Sequence, residues 1–68
     1  MALTADFLNQ VQAQGVAVTI FLLNGVKLQG QILSHDDQAL LLQRERLTQL
    51  VCLHAISTIM PATPLDLS

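Results

Sequence analysis

The sequence predicts a small, mainly β domain, in which one helix precedes five short strands that curve into a strongly bent, partly open barrel. Three observations support this fold class. Apolar residues follow a helical spacing near the N-terminus, and strand-like alternation or short apolar runs follow it. Tight-turn signals, above all Asn24-Gly25, separate the apolar runs. The chain has only 68 residues, so we interpret residues 1–68 as a single domain.

The N-terminal helix is predicted at residues 4–13. Thr4 is a suitable N-cap, and Asp6 places a carboxylate in the first turn, where the helix dipole is positive. Gly15 favours a stop because glycine readily adopts the left-handed conformation that ends many helices. The apolar stripe of this helix consists of Phe7, Leu8 and Val11.

The five strands follow from apolar runs that lie between turn signals. We place them at residues 16–23, 26–34, 39–43, 47–53 and 56–60. Both faces of the first strand are mostly apolar, so we expect both to be largely covered. Gly30 inside the second strand indicates a bend or the close approach of another backbone. Residues 44–46 form a charged hairpin loop, and residues 61–68 form a short tail that begins with a proline.

The composition predicts self-association. The chain is 51% hydrophobic and 12% charged, which is too apolar for a small monomer with a fully hydrated surface. Its single cysteine, Cys52, excludes an intrachain disulfide, so oligomerisation is the expected source of added stability. The last two strands are short and apolar, and they lack the lysine or proline that protects an edge strand. Pairing between such edges gives a ring when the rotation between copies closes.

The charge balance limits how a nucleic acid can be bound. The net charge is −2, and the basic residues are Lys27, Arg44 and Arg46. Nucleic-acid binding normally depends on many cations that neutralise phosphates. Any such binding here must therefore depend on local placement and on repetition by symmetry. No apolar stretch is long enough to span a membrane, and the N-terminus lacks the basic region of a signal peptide, so we expect a cytoplasmic protein.

The sequence shows no catalytic or metal-binding pattern. No Cys/His cluster has zinc spacing, and neither an activated nucleophile nor a glycine-rich phosphate loop is found. Asp36 and Asp37 are adjacent, but acids in a turn commonly accept hydrogen bonds from their own backbone. We therefore expect neither enzymatic activity nor a cofactor, and we interpret Cys52 as a small, buried apolar side chain.

Several sequence blocks resemble the Hfq family of bacterial Sm-like RNA chaperones. They are Phe7-Leu8-Asn9, the turn Asn24-Gly25, Lys27-Leu28-Gln29-Gly30-Gln31-Ile32, His54-Ala55-Ile56-Ser57-Thr58, and Pro61 with Pro64. The resemblance implies an Sm-like fold, with an N-terminal helix on a strongly bent, five-stranded antiparallel sheet. It also implies a homohexameric ring, joined through the fourth and fifth strands, that binds small regulatory RNAs and messenger RNAs in post-transcriptional regulation.

The resemblance further implies a site for A-rich single-stranded RNA on one face of the ring, the distal face. The matching positions are Phe21, Asn24, Gly25, Val26, Lys27, Leu28, Gln29 and Gln49. The family usually has tyrosine in place of Phe21, and an adenine can stack on either ring. The amides of Gln29 and Gln49 can pair with an adenine edge, and Lys27 can attract phosphate. By periodicity alone, Phe21 is also compatible with a core position, and Lys27 with an ordinary solvated side chain.

The opposite, proximal face and the outer rim depart from the family pattern. Family members bind uridine-rich RNA around the pore, where Gln38 replaces a stacking phenylalanine and only His54 remains of a Tyr-Lys-His run. We expect weak or absent uridine-rich binding there. His54 is equally compatible with an RNA contact and with a structural role, bonded to the backbone or to a carboxylate such as Asp36. The arginines that family members carry at the end of the helix are missing. Arg44 and Arg46 are compatible with an ordinary solvated hairpin tip and, at the periphery of a ring, with a substitute basic rim.

A second class of function stays open. The low basic content, Leu53 in place of a lysine, and the rim without arginines are also compatible with an Sm-fold ring that serves as a protein-interaction scaffold and binds little RNA. Nucleic acid that copurifies with the protein would favour the RNA-binding interpretation. A stoichiometric protein partner without RNA would favour the scaffold.

Overall fold

The computed structural model describes residues 2–66 and shows one helix followed by five strands. The elements are α1 (Leu3–Gln14), β1 (Ala17–Leu22), β2 (Lys27–His35), β3 (Ala39–Arg44), β4 (Leu47–Cys52), a 3₁₀ turn (Leu53–Ala55) and β5 (Ile56–Pro61). Each predicted bound lies within one residue of the observed one, so the helix and the five strands are confirmed. The tail begins later than predicted, because Pro61 still pairs with Val18, and its last two residues lie outside the described range.

The five strands form one antiparallel sheet in the order β4-β3-β2-β1-β5. β1 therefore lies between β2 and β5, although β5 comes last in the chain. The pairing shifts between Phe21 and Leu22 and again between Ile32 and Ser34. Such irregularities bend strands, which agrees with the bent, open sheet that the sequence predicts. β4 and β5 are the two edges of this sheet.

The ends of α1 differ in how well the sequence predicted them. Gly15 has a φ of 64° and donates its N–H to the Gln12 carbonyl, while Val16 donates to the Val11 carbonyl, so the predicted stop is confirmed. The predicted N-cap at Thr4 is wrong. The Ala2 carbonyl already accepts a helical hydrogen bond from the Asp6 N–H at 3.0 Å, which places Thr4 inside the first turn. Within residues 2–66, no helix is long and apolar enough to cross a membrane.

The core lies between α1 and one face of the sheet. Its buried side chains are Leu8, Val11, Val18, Ile20, Ile32, Leu40, Leu42 and Val51. In β1 the burial alternates as expected for a strand with one face on the core. The other face is less covered than predicted, because Thr19 and Phe21 are only half-buried and Ala17 is exposed. That second face of β1 is therefore available to a ligand.

Gly30 confirms the predicted close approach of two backbones. A Cβ atom at this position would collide with the backbone carbonyl oxygen of Gln43 on β3 and lie 3.2 Å from the Leu42 Cγ atom. Glycine therefore lets β2 and β3 pair closely at this position.

Candidate nucleic-acid interface

The turn between β1 and β2 is held by a short hydrogen-bond network. The Asn24 Oδ1 atom accepts a hydrogen bond from the Val26 N–H at 3.0 Å, and Gly25 has a φ of 90°. The Leu22 N–H donates to the Val26 carbonyl at 2.8 Å, and the Gly25 N–H donates to the Leu22 carbonyl at 3.0 Å. Asn24 and Gly25 thus fix the hairpin geometry, and they leave the side chains of Leu23 and Val26 exposed at its tip.

The hairpin face is the side of β1 and β2 that carries Phe21, Lys27 and Gln29. Phe21 pairs with Lys27 and Thr19 pairs with Gln29, and directly paired residues of antiparallel strands share a face. The Lys27 Nζ atom lies 5.9 Å from the centroid of the Phe21 ring. Gln29 is two residues along the strand, about 7 Å away. The structure therefore brings an aromatic ring, an ammonium group and an amide together on one surface.

Leu28 is placed differently from its neighbours. It pairs with the buried Ile20 and is itself half-buried against the core. Its side chain therefore supports the hairpin face from below, whereas Lys27 and Gln29 on either side of it are exposed.

Gln49 is not brought to the hairpin face within one chain. It lies exposed on the edge strand β4, where it pairs with Leu42. Three strand spacings separate β4 from β1, or about 14 Å at the usual distance between strands. Phe21 and Gln49 of the same chain therefore cannot contact one base together.

Thr58 is a neighbour of Phe21 that the sequence does not predict. It pairs with Phe21 from the β5 side, so Phe21 is flanked by Lys27 on one strand and by Thr58 on the other. The hydroxyl oxygen of Thr58 lies 3.4 Å from that of Ser57. The pairing of β1 with β5 bridges distant parts of the chain, and no local pattern in the sequence could have indicated it.

On the other side of the molecule, Gln38 and His54 are brought close by the backbone. The Leu53 N–H donates to the Gln38 carbonyl at 2.8 Å, which joins the turn after β2 to the 3₁₀ turn that carries His54. Both side chains are exposed. Within residues 2–66 the His54 ring makes no hydrogen bond to a carboxylate or to the backbone, so the structure offers no support for its structural role.

Asp36 caps the turn after β2. Its Oδ1 atom accepts hydrogen bonds from the Gln38 N–H at 2.8 Å and the Ala39 N–H at 2.9 Å. These backbone donors, Gln38 first, hold the pKa of the Asp36 carboxyl below its usual value, because they stabilise the charged form. The prediction that an acid in this turn binds its own backbone is confirmed for Asp36.

The end of α1 is covered by the tail and not by basic side chains. The Gln14 Nε2 atom donates to the Asp66 carbonyl at 2.7 Å, and the Gln14 Oε1 atom accepts from the Asp66 N–H at 3.2 Å. Arg44 and Arg46 lie elsewhere, on the β3–β4 hairpin, where Glu45 has a φ of 58°. Both arginines are exposed, but the structure does not bring them to the end of the helix.

Cys52 is exposed at the end of β4, so its interpretation as a buried side chain is wrong. The cause is its position on an edge strand, opposite Ala39 and outside the core. Within residues 2–66 there is no group of three or more His, Cys, Asp or Glu side chains that could hold a metal ion.

Comparisons with known proteins agree on one family. A sequence model described as "Hfq protein" matches residues 3–66. The "RNA-binding protein Hfq" of Ruegeria sp. (strain TM1040) is 59% identical over 61 residues, which cover 90% of this chain and 77% of the relative. That of Rhodospirillum rubrum is 57% identical over 61 residues, which cover 90% and 74%. A crystal structure described as the pleiotropic translational regulator Hfq matches with a TM-score of 0.83 and 30% identity, over 87% of this chain and 98% of that one.

Proposed function

Because the chain belongs to the Hfq family of RNA-binding proteins, which are not enzymes, we propose that it forms a homohexameric ring that binds A-rich single-stranded RNA on the hairpin face. Bound there, the RNA would be a messenger or small regulatory RNA, and the protein would act as an RNA chaperone in post-transcriptional regulation. Uridine-rich RNA would bind the opposite face weakly or not at all.

The observation that carries the proposal is the grouping of Phe21, Lys27 and Gln29. Phe21 supplies a ring on which a base can stack, an interaction of about 1–3 kcal/mol per base. Lys27, paired with Phe21, supplies a cation for the adjoining phosphate. Gln29 supplies an amide that can donate to and accept from an adenine edge. Stacking, charge and hydrogen bonding are thus all available to one nucleotide and its neighbour.

Lys27 must move slightly when a base stacks on Phe21. Its ammonium group lies 5.9 Å from the ring centroid, near the outer limit of a cation–π contact. Such an exposed contact is weak, and the lysine side chain is long and flexible. The ammonium group can therefore leave the ring at little cost and follow the phosphate of the arriving nucleotide.

The edge strands support assembly into a ring. Leu47 and Leu50 of β4 and Met60 of β5 are all exposed, although they are large apolar residues. If β5 of one copy pairs with β4 of the next, the strand order across the subunit interface becomes β2-β1-β5-β4, in which β4 belongs to the next copy. Gln49 of the partner subunit would then lie two strand spacings from Phe21, about 10 Å away, on the side of Thr58. The ring therefore brings Gln49 closer to the hairpin face than a single chain does.

Fluorescence anisotropy with labelled A-rich and U-rich oligonucleotides tests the RNA site. We expect the A-rich RNA to bind more tightly, and Phe21→Leu to weaken that binding about tenfold or more, because leucine keeps the apolar bulk and loses the stacking surface. Phe21→Tyr is the matched control and should bind like the unchanged protein. Equal and negligible binding of both RNAs at moderate salt would contradict the proposal.

Light scattering tests the ring independently of RNA. A mass near six chains is expected, and a stable monomer would contradict the assembly. The absorbance ratio of the purified protein then separates RNA binding from the scaffold alternative. The chain contains no tryptophan or tyrosine, so copurified nucleic acid dominates the ultraviolet spectrum even in small amounts.

A further inference from the structure

A broad groove runs between the first turns of α1 and the segment formed by the 3₁₀ turn and β5. Its apolar lining includes Leu3, Phe7, Leu53 and Ile56. Leu3 is 75% exposed, while the other three are half-buried and pack against the core. The groove is therefore a preformed apolar surface with an exposed leucine at its margin.

With its two histidines, His35 and His54, counted as neutral, the groove carries charges of one sign only. Three of the five acidic residues of the chain line it, namely Asp6, Asp36 and Asp37. Among residues 2–66, none of the three basic side chains does so. Lys27 begins β2, and Arg44 ends β3 at the hairpin that also carries Arg46. The fold thus collects most of its carboxylates on one surface, which we call the acidic groove, and keeps its cations away from it.

We propose that the acidic groove binds a protein segment that combines apolar side chains with lysine or arginine. Carboxylates at three positions attract such a segment and repel the phosphates of RNA. Phe7 packs against the core and offers no free stacking face, and the exposed ring at the groove is that of His54. Complementarity of charge and of apolar surface therefore favours a basic, apolar peptide over a nucleic acid.

Asp37 is the side chain best suited to test this binding. It is exposed in the turn after β2, whereas Asp36 is engaged with the backbone of that turn. A substitution at Asp37 therefore changes the charge of the groove without removing a hydrogen bond that holds the fold. Asp6 on α1 provides a second, independent position on the opposite wall of the groove.

The probe is a fluorescein-labelled peptide of twelve residues built from Lys, Leu and Ser, and its binding to the full chain is measured by anisotropy. We expect saturable binding of this peptide, and no binding of two matched peptides in which Glu replaces Lys or Ser replaces Leu. Asp37→Lys should weaken the binding about tenfold, and Asp6→Asn about two- to fivefold, as expected for exposed charge pairs. Glu45→Lys, the same charge reversal on the distant β3–β4 hairpin, is the control and should bind unchanged.

Three results would overturn this inference. Equal weakening by Asp37→Lys and Glu45→Lys would show general charge attraction without a site. Competition by U-rich RNA for the bound peptide would show that the surface binds nucleic acid. Binding to dissociated chains but not to the assembled ring would show that a second copy fills the groove. A-rich RNA binding, measured on the same variants, should not change, so a failure here is distinguishable from a failure of the proposed RNA site.

Discussion

Lys27→Ala should reduce the salt dependence of A-rich RNA binding by a predictable amount. Lys27 is the only lysine or arginine between residues 17 and 35, which form β1, β2 and their turn. Each phosphate neutralised on a single strand contributes about 0.7 to the slope of log K against log salt concentration. In a ring of six copies that all contact the RNA, the slope should therefore fall by about 4. If fewer copies make contact, the slope falls in proportion, so the experiment also counts the chains engaged.

The measurement is a series of anisotropy titrations with one A-rich oligonucleotide, long enough to span the ring, at several salt concentrations. Arg44→Ala is the matched control, because it removes the same charge from the β3–β4 hairpin and should leave the slope unchanged. An unchanged slope for Lys27→Ala would refute the assignment of Lys27 to the phosphate contact. A fall in slope for Arg44→Ala would show that RNA reaches the hairpin that carries the two arginines.

Three further predictions concern the fold and its assembly. Gly30→Ala should lower the free energy of unfolding by about 1–3 kcal/mol in urea denaturation, because the added Cβ collides with the β3 backbone. The loss of stability should be larger than for Gly15→Ala, where an added Cβ meets no neighbour. The pKa of Asp36 is lowered in the folded state, so its stabilising effect is present above the pKa of the unfolded chain and is lost as the pH falls through the pKa of the folded state. Thermal denaturation monitored by circular dichroism should therefore show a loss of stability in acid, and this loss should be smaller in Asp36→Ala. Leu50→Glu, on the edge strand β4, should shift the mass measured by light scattering below that of the ring. Leu23→Glu is the control and should not, although Leu23 is 70% exposed and Leu50 68%. Identical masses for the two variants would argue against pairing through β4.

The elements that the sequence predicted well are those that depend on neighbouring residues. The turn at Asn24-Gly25 needs a side chain that bonds its own backbone and a residue with positive φ, and both are properties of the two residues themselves. The stop at Gly15 follows for the same reason. The N-cap prediction at Thr4 is wrong because the position of an N-cap depends on where the first helical hydrogen bond forms. Here the Ala2 carbonyl accepts that first hydrogen bond.

The parts that the sequence did not predict depend on contacts between distant elements. Thr58 reaches Phe21 only because β5 returns to pair with β1. Asp6, Asp37 and Leu53 share one groove because α1, the turn after β2 and the 3₁₀ turn meet there, and in the sequence they appear as separate helix, turn and strand residues. The resemblance to a family could place Gln49 in a site, but it could not show that one chain keeps Gln49 three strands away from Phe21.

The strongest objection to RNA binding is the net charge of −2. The placement of acidic and basic side chains on different surfaces answers it. A polyanion responds to the charges within a screening length of its path, about 10 Å in ordinary salt, and not to the sum over the chain. Residues 17–35, which build the hairpin face, contain one lysine and no aspartate or glutamate. Three of the five carboxylates instead lie in the acidic groove. The local charge of the hairpin face is thus positive in a single chain. The proposed ring would multiply that positive charge, and the same repetition would make the acidic groove more strongly negative. One acidic protein can therefore present a surface that attracts RNA and another that rejects it.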